Sequence, residues 1–262
     1  MSKKIQILLI VLCGILFGVM IFSGYKLLTD KAEHQDAREK DDEARVTYQR
    51  KQTLQATPRP YTDNPEIQLD DEISPLNSMD LDQFYADYPD AVGWIYSPNG
   101  LIDNGVVEAE DNDFYLHRFF DGSYSISGSI FVDCQCSRDF SDRNTIIYGH
   151  HMNDGTKFAS LINYREKAYY EKYPVLYLST KDMNYRVEIF SAYLTDAESD
   201  SYTLRFETDN EYLAYLSKIC ARSDFPSDVK LSSTDRIITL STCSYEYNDA
   251  RYVVHGKLVP IH

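Results

Sequence analysis

The chain has 262 residues, of which 43% are hydrophobic and 26% charged, and this balance excludes a globally disordered protein. That length suits one or two domains. The formal net charge of −15, from 26 basic and 41 acidic residues, argues against binding to the phosphates of a nucleic acid. Five cysteines are too few for a disulfide framework, and their odd number leaves at least one thiol free.

The amino terminus carries two lysines, Lys3 and Lys4, followed by an apolar run over Ile5–Phe22. About 20 residues of this kind are enough to cross the hydrocarbon core of a membrane. A cleaved signal peptide has a shorter apolar region and an A-x-A-like site, and no such site follows Phe22. We therefore predict an uncleaved, single-pass anchor over residues 1–29 in the cell membrane. The two lysines place the amino terminus in the cytoplasm and the rest of the chain outside the cell.

A charged stem and a linker are predicted over residues 30–75. Residues 31–53 contain six acidic and six basic side chains and few large apolar ones, which indicates a solvated spacer helix. Four prolines between residues 57 and 75 then predict a semi-rigid linker. The folded domain is expected over 76–262, beginning with a short helix capped by Ser78.

Strand-like runs rich in Val, Ile, Tyr and Phe recur through the folded domain, mostly bounded by Gly, Pro, Asn or Asp. The eight predicted strands are Val92–Tyr96, Gly105–Ala109, Ser129–Asp133, Thr145–Tyr148, Val175–Ser179, Tyr185–Leu194, Ile237–Thr242 and Tyr252–Val259. Helical patterns over Phe158–Tyr170 and Glu211–Ala221 interrupt them, the second with Leu213, Leu216, Ile219 and Cys220 on one face. Strands with singly inserted helices favour a mainly β fold, a closed or nearly closed eight-stranded barrel with peripheral helices, over a doubly wound sheet.

Three side chains at strand ends could carry out acyl transfer. Cys243 ends one strand and Arg251 opens the next, so a tight loop brings thiol and guanidinium close together. His150 ends an earlier strand. Acyl transfer needs an attacking thiolate, a proton donor for the leaving amine and an oxyanion stabiliser, and an arginine supplies a permanent positive charge. Each residue alone also fits a structural role: a buried core cysteine, a turn histidine and a surface ion pair.

The sequence shows no HExxH, paired CxxC or phosphate-binding loop. Cys134 and Cys136, two residues apart, would need partners from elsewhere to bind a metal, so two free thiols are favoured. We predict that the protein uses no metal and no organic cofactor.

The motifs Thr-Leu-Ser-Thr-Cys at 239–243 and Asn-Thr-Ile-Ile-Tyr-Gly-His at 144–150, followed by Arg251 and preceded by a membrane anchor, resemble those of sortases. The run from Tyr148 to Phe158 and the helix-containing insert near 209–221 are similar to class B rather than class A. The resemblance covers the anchor and residues 78–262. It implies an eight-stranded β-barrel and a membrane-anchored cysteine transpeptidase of Gram-positive bacteria.

The resemblance also implies roles for individual residues. Cys243 matches the nucleophile, His150 rather than His151 the histidine of the strand-end motif, and Arg251 the arginine of the following strand. Ser241 and, beside it, Thr242 are expected to bind the substrate.

The implied substrates are secreted proteins that carry a C-terminal sorting motif, cleaved after Thr, and a cell-wall peptide amine or peptidoglycan precursor that accepts the acyl group. The alternatives are a sortase that polymerises pilins, a papain-type cysteine hydrolase, in which the Cys would come before the His, and a silent membrane-tethered binding module.

Overall fold

A computed structural model of the chain describes residues 3–48, 80–244, 246 and 249–261, with side chains from residue 12 onward. The linker predicted over 57–75 and the cap predicted at Ser78 lie outside the described residues. The body is a closed barrel of eight strands, which confirms the predicted fold class. The strands are β1 (Ala91–Tyr96), β2 (Asp103–Val107), β3 (Ile130–Val132), β4 (Asn144–Tyr148), β5 (Val175–Ser179), β6 (Asn184–Asp196), β7 (Ile237–Cys243) and β8 (Ala250–Ile261).

Around the barrel the order is β1-β2-β3-β4-β7-β8-β6-β5, and β5 closes it by pairing with β1. Two neighbouring pairs are parallel, β2 with β3 and β4 with β7, and the other pairs are antiparallel. All eight predicted strands are present, each with bounds within two residues of the prediction. Side chains alternate across each strand. On β7, Ile238 and Leu240 belong to the buried cluster that fills the barrel, and Ser241 and Cys243 lie at the end beyond it.

Within the described residues, four α-helices lie outside the barrel: α1 (Lys3–Tyr48), α2 (Leu81–Asp87), α3 (Lys167–Lys172) and α4 (Asp209–Ala221). Asp80 caps α2, because its carboxylate accepts a hydrogen bond from the Gln83 N–H. Short 3₁₀ turns cover Phe114–His117, Ala159–Arg165 and Asp200–Tyr202.

The single helix predicted over Phe158–Tyr170 is wrong. The chain forms the 3₁₀ turn Ala159–Arg165 and then α3, separated by an extended residue at Glu166. Phe158, Leu161 and Tyr164 are all buried in the barrel core. Their spacing of three residues suits a 3₁₀ turn, in which positions i and i+3 eclipse, better than an α-helix.

Helix α4 lies where it was predicted, but the face that it buries differs from the predicted face. Its buried residues are Tyr212, Tyr215, Leu216 and Ile219, whereas Leu213 and Cys220 are exposed. The tyrosines point inward because their hydroxyls find buried acceptors: Tyr212 donates to the Arg143 and Asp235 carbonyls, and Tyr215 to the Ser201 carbonyl.

The described part of the charged stem, residues 31–48, belongs to helix α1, and it is not the fully solvated spacer that its composition indicates. Ala37, Asp41, Ala44 and Tyr48 are buried, and their spacing of four, three and four residues puts them on one face of the helix. The Tyr48 ring packs against rings of α2 and β1, among them Phe84, Tyr88 and Trp94. The amino-terminal part of α1 is long and apolar enough to cross a membrane, and none of that stretch is buried in the structure.

Candidate active site

A cleft of about 270 Å³ lies where β4, β7 and β8 meet at one end of the barrel. All five residues singled out in the sequence line it: His150, Ser241, Thr242, Cys243 and Arg251. The other lining residues are Asn112, Leu116, Phe131, Tyr148, Gly149, Ala197 and Tyr202. Residues from distant parts of the chain therefore converge on one site.

Cys243 and Arg251 are directly opposite each other in the antiparallel β7–β8 pair. Cys243 is the last residue of β7, and its thiol is free and partly exposed. Arg251 is partly buried, and its Nη1 donates to the Ala250 carbonyl at 3.1 Å. Cross-strand neighbours have Cβ atoms about 4.5–5.5 Å apart, so the side chains of Cys243 and Arg251 leave the sheet from neighbouring positions.

His150 reaches the cleft from β4, the parallel neighbour of β7. The Gly149 N–H donates to the Ser241 carbonyl at 3.1 Å and extends the pairing by one step beyond the end of β4. A side chain at position 149 would collide with Phe158, since an added Cβ would lie 2.7 Å from its ring. The glycine therefore lets the chain turn closely against the barrel before it presents His150.

The His150 ring is held by the backbone of the turn that precedes β3. Its Nε2 lies 2.7 Å from the Leu116 carbonyl oxygen; because a carbonyl can only accept, the proton is on Nε2. Burial lowers the pKa of His150, and the neighbouring His117 and Lys157 lower it further, while the bond to Leu116 opposes the shift. The His117 ring stacks on the His150 ring, with centroids 5.7 Å apart.

His151 has a different position from its neighbour. Its Nδ1 lies 3.1 Å from the carbonyl oxygen of Cys243, and it is not one of the residues that line the cleft. The two adjacent histidines thus contact the backbone of two different segments, His150 that of Leu116 and His151 that of Cys243. His150 faces the cleft, and His151 holds the backbone of the residue that carries the thiol.

Ser241 and Thr242 line the cleft from alternate faces of β7. Ser241 is buried, and its hydroxyl lies 2.8 Å from the Tyr202 hydroxyl. Thr242 is also buried, on the face of the strand that it shares with Leu240. Its hydroxyl makes no hydrogen bond within the described residues.

Two stacked tyrosines, Tyr148 and Tyr202, form an aromatic wall of the cleft that was not predicted from the sequence. The Tyr148 and Tyr202 rings stack with centroids 6.3 Å apart. Asp133 fixes this wall, because its carboxylate accepts hydrogen bonds from the Tyr148 hydroxyl at 2.9 Å and from the Asn112 amide at 3.0 Å. Tyr148 lies within the strand-end motif, whereas Tyr202 comes from the distant β6–β7 connection and carries no local signal.

The other cysteines lie away from the cleft lining. Cys134 and Cys136 follow β3 in a turn, rather than lying on a strand, and both are free. Burial raises the pKa of both thiols, that of Cys136 to about 12. Within the described ranges, no group of three or more His, Cys, Asp or Glu side chains could hold a metal ion.

Residues 128–259, half of the chain, match the family model of the sortase domain. The chain belongs to the sortase family. Sortase B of Listeria monocytogenes is 34% identical over 247 residues, which cover 94% of each chain. Sortase B of Staphylococcus aureus is 29% identical over 260 residues, which cover 98% of this chain and 96% of that one.

A solved S. aureus sortase B–substrate complex has the same fold, with a TM-score of 0.73 and 27% identity, over 88% of this chain and all of that one. These relatives confirm class B for the chain and a sortase transpeptidase as its activity. The cleft with His150, Cys243 and Arg251 is thus the candidate active site of a sortase.

Proposed function

We propose that this sortase cleaves a C-terminal sorting motif of secreted proteins after a Thr and transfers the acyl group to a cell-wall peptide amine. The observation that carries the proposal is the convergence of Cys243 from β7, Arg251 from β8 and His150 from the segment after β4 on one cleft. A nucleophile, a proton donor and a fixed positive charge are the groups that acyl transfer requires.

The first transfer forms a thioester. The Cys243 thiolate attacks the carbonyl carbon of the Thr, a C–S bond forms, and the carbonyl π electrons move to the oxygen. The positively charged guanidinium of Arg251 stabilises this oxyanion. When the oxyanion collapses, the C–N bond breaks and protonated His150 gives its proton to the departing amine.

The second transfer reverses these roles. The amine of a cell-wall peptide or peptidoglycan precursor attacks the thioester carbonyl and passes a proton to neutral His150. Collapse breaks the C–S bond, releases the Cys243 thiolate and leaves an amide bond. The first transfer leaves His150 in the neutral form that this step needs, and burial, which lowers the pKa of His150, favours that form.

The lining of the cleft suits an extended peptide. Phe131, Tyr148 and Tyr202 supply apolar and aromatic surface, and Ser241 and Asn112 supply polar groups. Pockets with a mainly apolar lining and a few placed polar groups bind and orient small ligands or peptide side chains. The S. aureus sortase B described above was solved as a substrate complex, which supports a peptide substrate for this cleft.

We further propose that the protein is anchored in the membrane by residues 1–29, with its amino terminus in the cytoplasm, and that residues 30–75 connect the anchor to a catalytic domain over 76–262 outside the cell. Lys3 and Lys4 before the apolar part of α1 support this orientation. Protease added to intact protoplasts should degrade the body. Full protection of the body would contradict this topology.

The test of the activity uses the full-length chain in detergent with a labelled sorting peptide, with and without an amine acceptor. The peptide is of the Asn-Pro-x-Thr type, which the resemblance to class B sortases implies. Transfer to the amine supports the proposal, whereas cleavage by water alone, even with the acceptor present, would indicate a hydrolase. An absence of turnover would leave a binding module as the better interpretation. Cys243→Ala should form neither product nor thioester, while Cys134→Ser, at another free cysteine, serves as the matched control.

A further inference from the structure

The cleft histidine belongs to a short hairpin, residues 150–158, which we call the histidine hairpin. Its two ends are tied together, because the Phe158 N–H donates to the His150 carbonyl at 3.0 Å and His151 pairs with Lys157 in an isolated antiparallel bridge. Any group that fixes Lys157 therefore also fixes the backbone that presents His150 and His151.

Helix α1 contacts this hairpin through two ion pairs. The Arg38 Nε lies 2.6 Å from Asp154 Oδ2, but the Arg38 side chain is half exposed, and exposed pairs contribute little. The second pair is different, because Lys157 Nζ lies 2.7 Å from Asp41 Oδ1 and the two side chains are only 2% and 9% exposed. A buried charge without its partner is strongly unfavourable, so the Lys157 ammonium depends on Asp41.

The backbone at Lys157 has an unusual conformation. Its φ is +57°, in the left-handed region that glycine adopts more readily than other residues. The ammonium group lies 5.8 Å from the centroid of the Phe119 ring and so has an aromatic contact as well as Asp41. The ion pair and the ring contact hold a backbone conformation that is otherwise disfavoured.

We propose that Asp41 is a positioning residue. By pairing with Lys157 it fixes the joined ends of the histidine hairpin and thereby positions His150 and His151. The helix that carries Asp41 also carries the apolar segment long enough to cross a membrane. The anchor helix is then a part of the catalytic unit rather than a tether. The effect on turnover rests on the proposed function, whereas the effect on the hairpin does not.

The test compares variants of the full-length chain in nanodiscs. Asp41→Asn breaks the ion pair, and the double variant Asp41→Leu with Lys157→Met removes both charges. Glu43→Gln makes a similar charge change on an exposed position of the same helix and is the matched control. The measurements are kcat and KM for the sorting peptide, hydrogen exchange of the Phe158 amide, and the fluorescence of Trp94.

Trp94 is the single tryptophan of the chain and packs on Tyr48 of α1, with ring centroids 6.5 Å apart. Its emission therefore reports whether the helix as a whole stays docked. Tyr48→Ala loosens that end of the helix while leaving Asp41 in place, and so separates general docking from the ion pair.

We expect Asp41→Asn to lower kcat by about 10-fold or more, since misplacing a catalytic group by an ångström can cost about 100-fold. KM should stay within about twofold, Phe158 exchange should become faster, and Trp94 emission should not change. The double variant should recover most of the lost kcat, because apolar pairs often replace buried ion pairs without loss. Glu43→Gln should match the wild type.

The proposal is overturned if Asp41→Asn changes neither kcat nor Phe158 exchange, or if it lowers only the melting temperature. It is also overturned if Tyr48→Ala lowers kcat as much as Asp41→Asn, because helix docking alone would then explain the loss. If the wild-type chain turns over no peptide, the proposed function fails, and faster exchange at Phe158 in Asp41→Asn would still support the positioning role.

Discussion

The Nδ1 atom of His151 lies 3.1 Å from the carbonyl oxygen of Cys243. This side-chain bond continues the parallel pairing of β4 with β7 after the backbone bond from Gly149 to Ser241. It fixes the last residue of β7 from the side opposite Arg251. A residue that does not line the cleft can therefore influence where the thiol points.

The two neighbouring histidines should respond differently to substitution. His150→Ala should lower kcat/KM by at least about 100-fold, the usual scale for loss of a general acid. His151→Ala should be much milder, because it removes one hydrogen bond to the backbone of Cys243. His151→Asn should recover part of that loss, since its amide can also donate to the Cys243 carbonyl. If His151→Ala is the inactive variant, the assignment of His150 is wrong.

Arg251→Lys keeps a positive charge but loses the planar guanidinium. Arg251 is directly opposite Cys243 in the β7–β8 pair, so we expect its guanidinium to reach the oxyanion. The substitution should therefore lower kcat by about 100-fold. KM for the peptide should change little. The comparison variant is Arg205→Lys, whose side chain is 73% exposed and pairs with Asp142 outside the cleft lining. An unchanged kcat in Arg251→Lys would remove the guanidinium from the proposed mechanism.

Tyr202→Phe removes the hydroxyl that bonds Ser241 at 2.8 Å but keeps the ring that stacks on Tyr148. Burial raises the pKa of Tyr202 to about 12, so the hydroxyl is protonated at working pH and available for this bond. We expect a rise in KM of about 3- to 10-fold, the scale of one hydrogen bond, with kcat nearly unchanged. Steady-state kinetics beside Tyr124→Phe, at an exposed position, checks this. A fall in kcat alone would contradict a role in substrate binding.

His255 should make the fold sensitive to acid. Burial lowers its pKa to about 3, and it is hydrogen-bonded to Thr239 at 2.9 Å and to Tyr193 at 3.2 Å. The unfolded chain binds the proton near pH 6.5 and the folded chain does not, so stability falls as the pH drops below 6.5. From pH 7 to 5 the loss from this residue is about 2 kcal/mol, at about 1.4 kcal/mol per pH unit.

His255→Gln should reduce this acid-induced loss, because glutamine does not titrate. Urea unfolding followed by Trp94 fluorescence at pH 7 and pH 5, with the exposed His117→Gln as control, measures the difference. An equal loss of stability in His255→Gln and the wild type would assign the acid sensitivity to other groups.

The proposed acyl transfer uses side chains alone, so treatment with EDTA should leave turnover of the full-length chain unchanged. Within the described residues there is no cluster of metal ligands that a chelator would strip. A large loss of activity that calcium restores would contradict this prediction.

The local pattern of the sequence was sufficient to predict the positions of the strands. Runs of β-branched and aromatic residues bounded by turn residues predicted all eight strands to within two residues, because side-chain alternation and turn chemistry act over short distances. The same holds for Cys243 and Arg251, since a short loop between antiparallel strands leaves few ways to pair them. The Thr-Leu-Ser-Thr-Cys motif further connected this pair to a family.

Tertiary structure decided the contacts between distant segments. His150 and His151 are identical side chains at adjacent positions, and only the parallel pairing of β4 with β7 directs one to the cleft and the other to the Cys243 carbonyl. The buried face of the stem consists of two alanines, an aspartate and a tyrosine. These residues do not form an apolar stripe that would predict a buried helix from the sequence. The buried Asp41 on this face pairs with Lys157, 116 residues away in the sequence, and the partner of a buried charge is specified by the fold and not by local spacing.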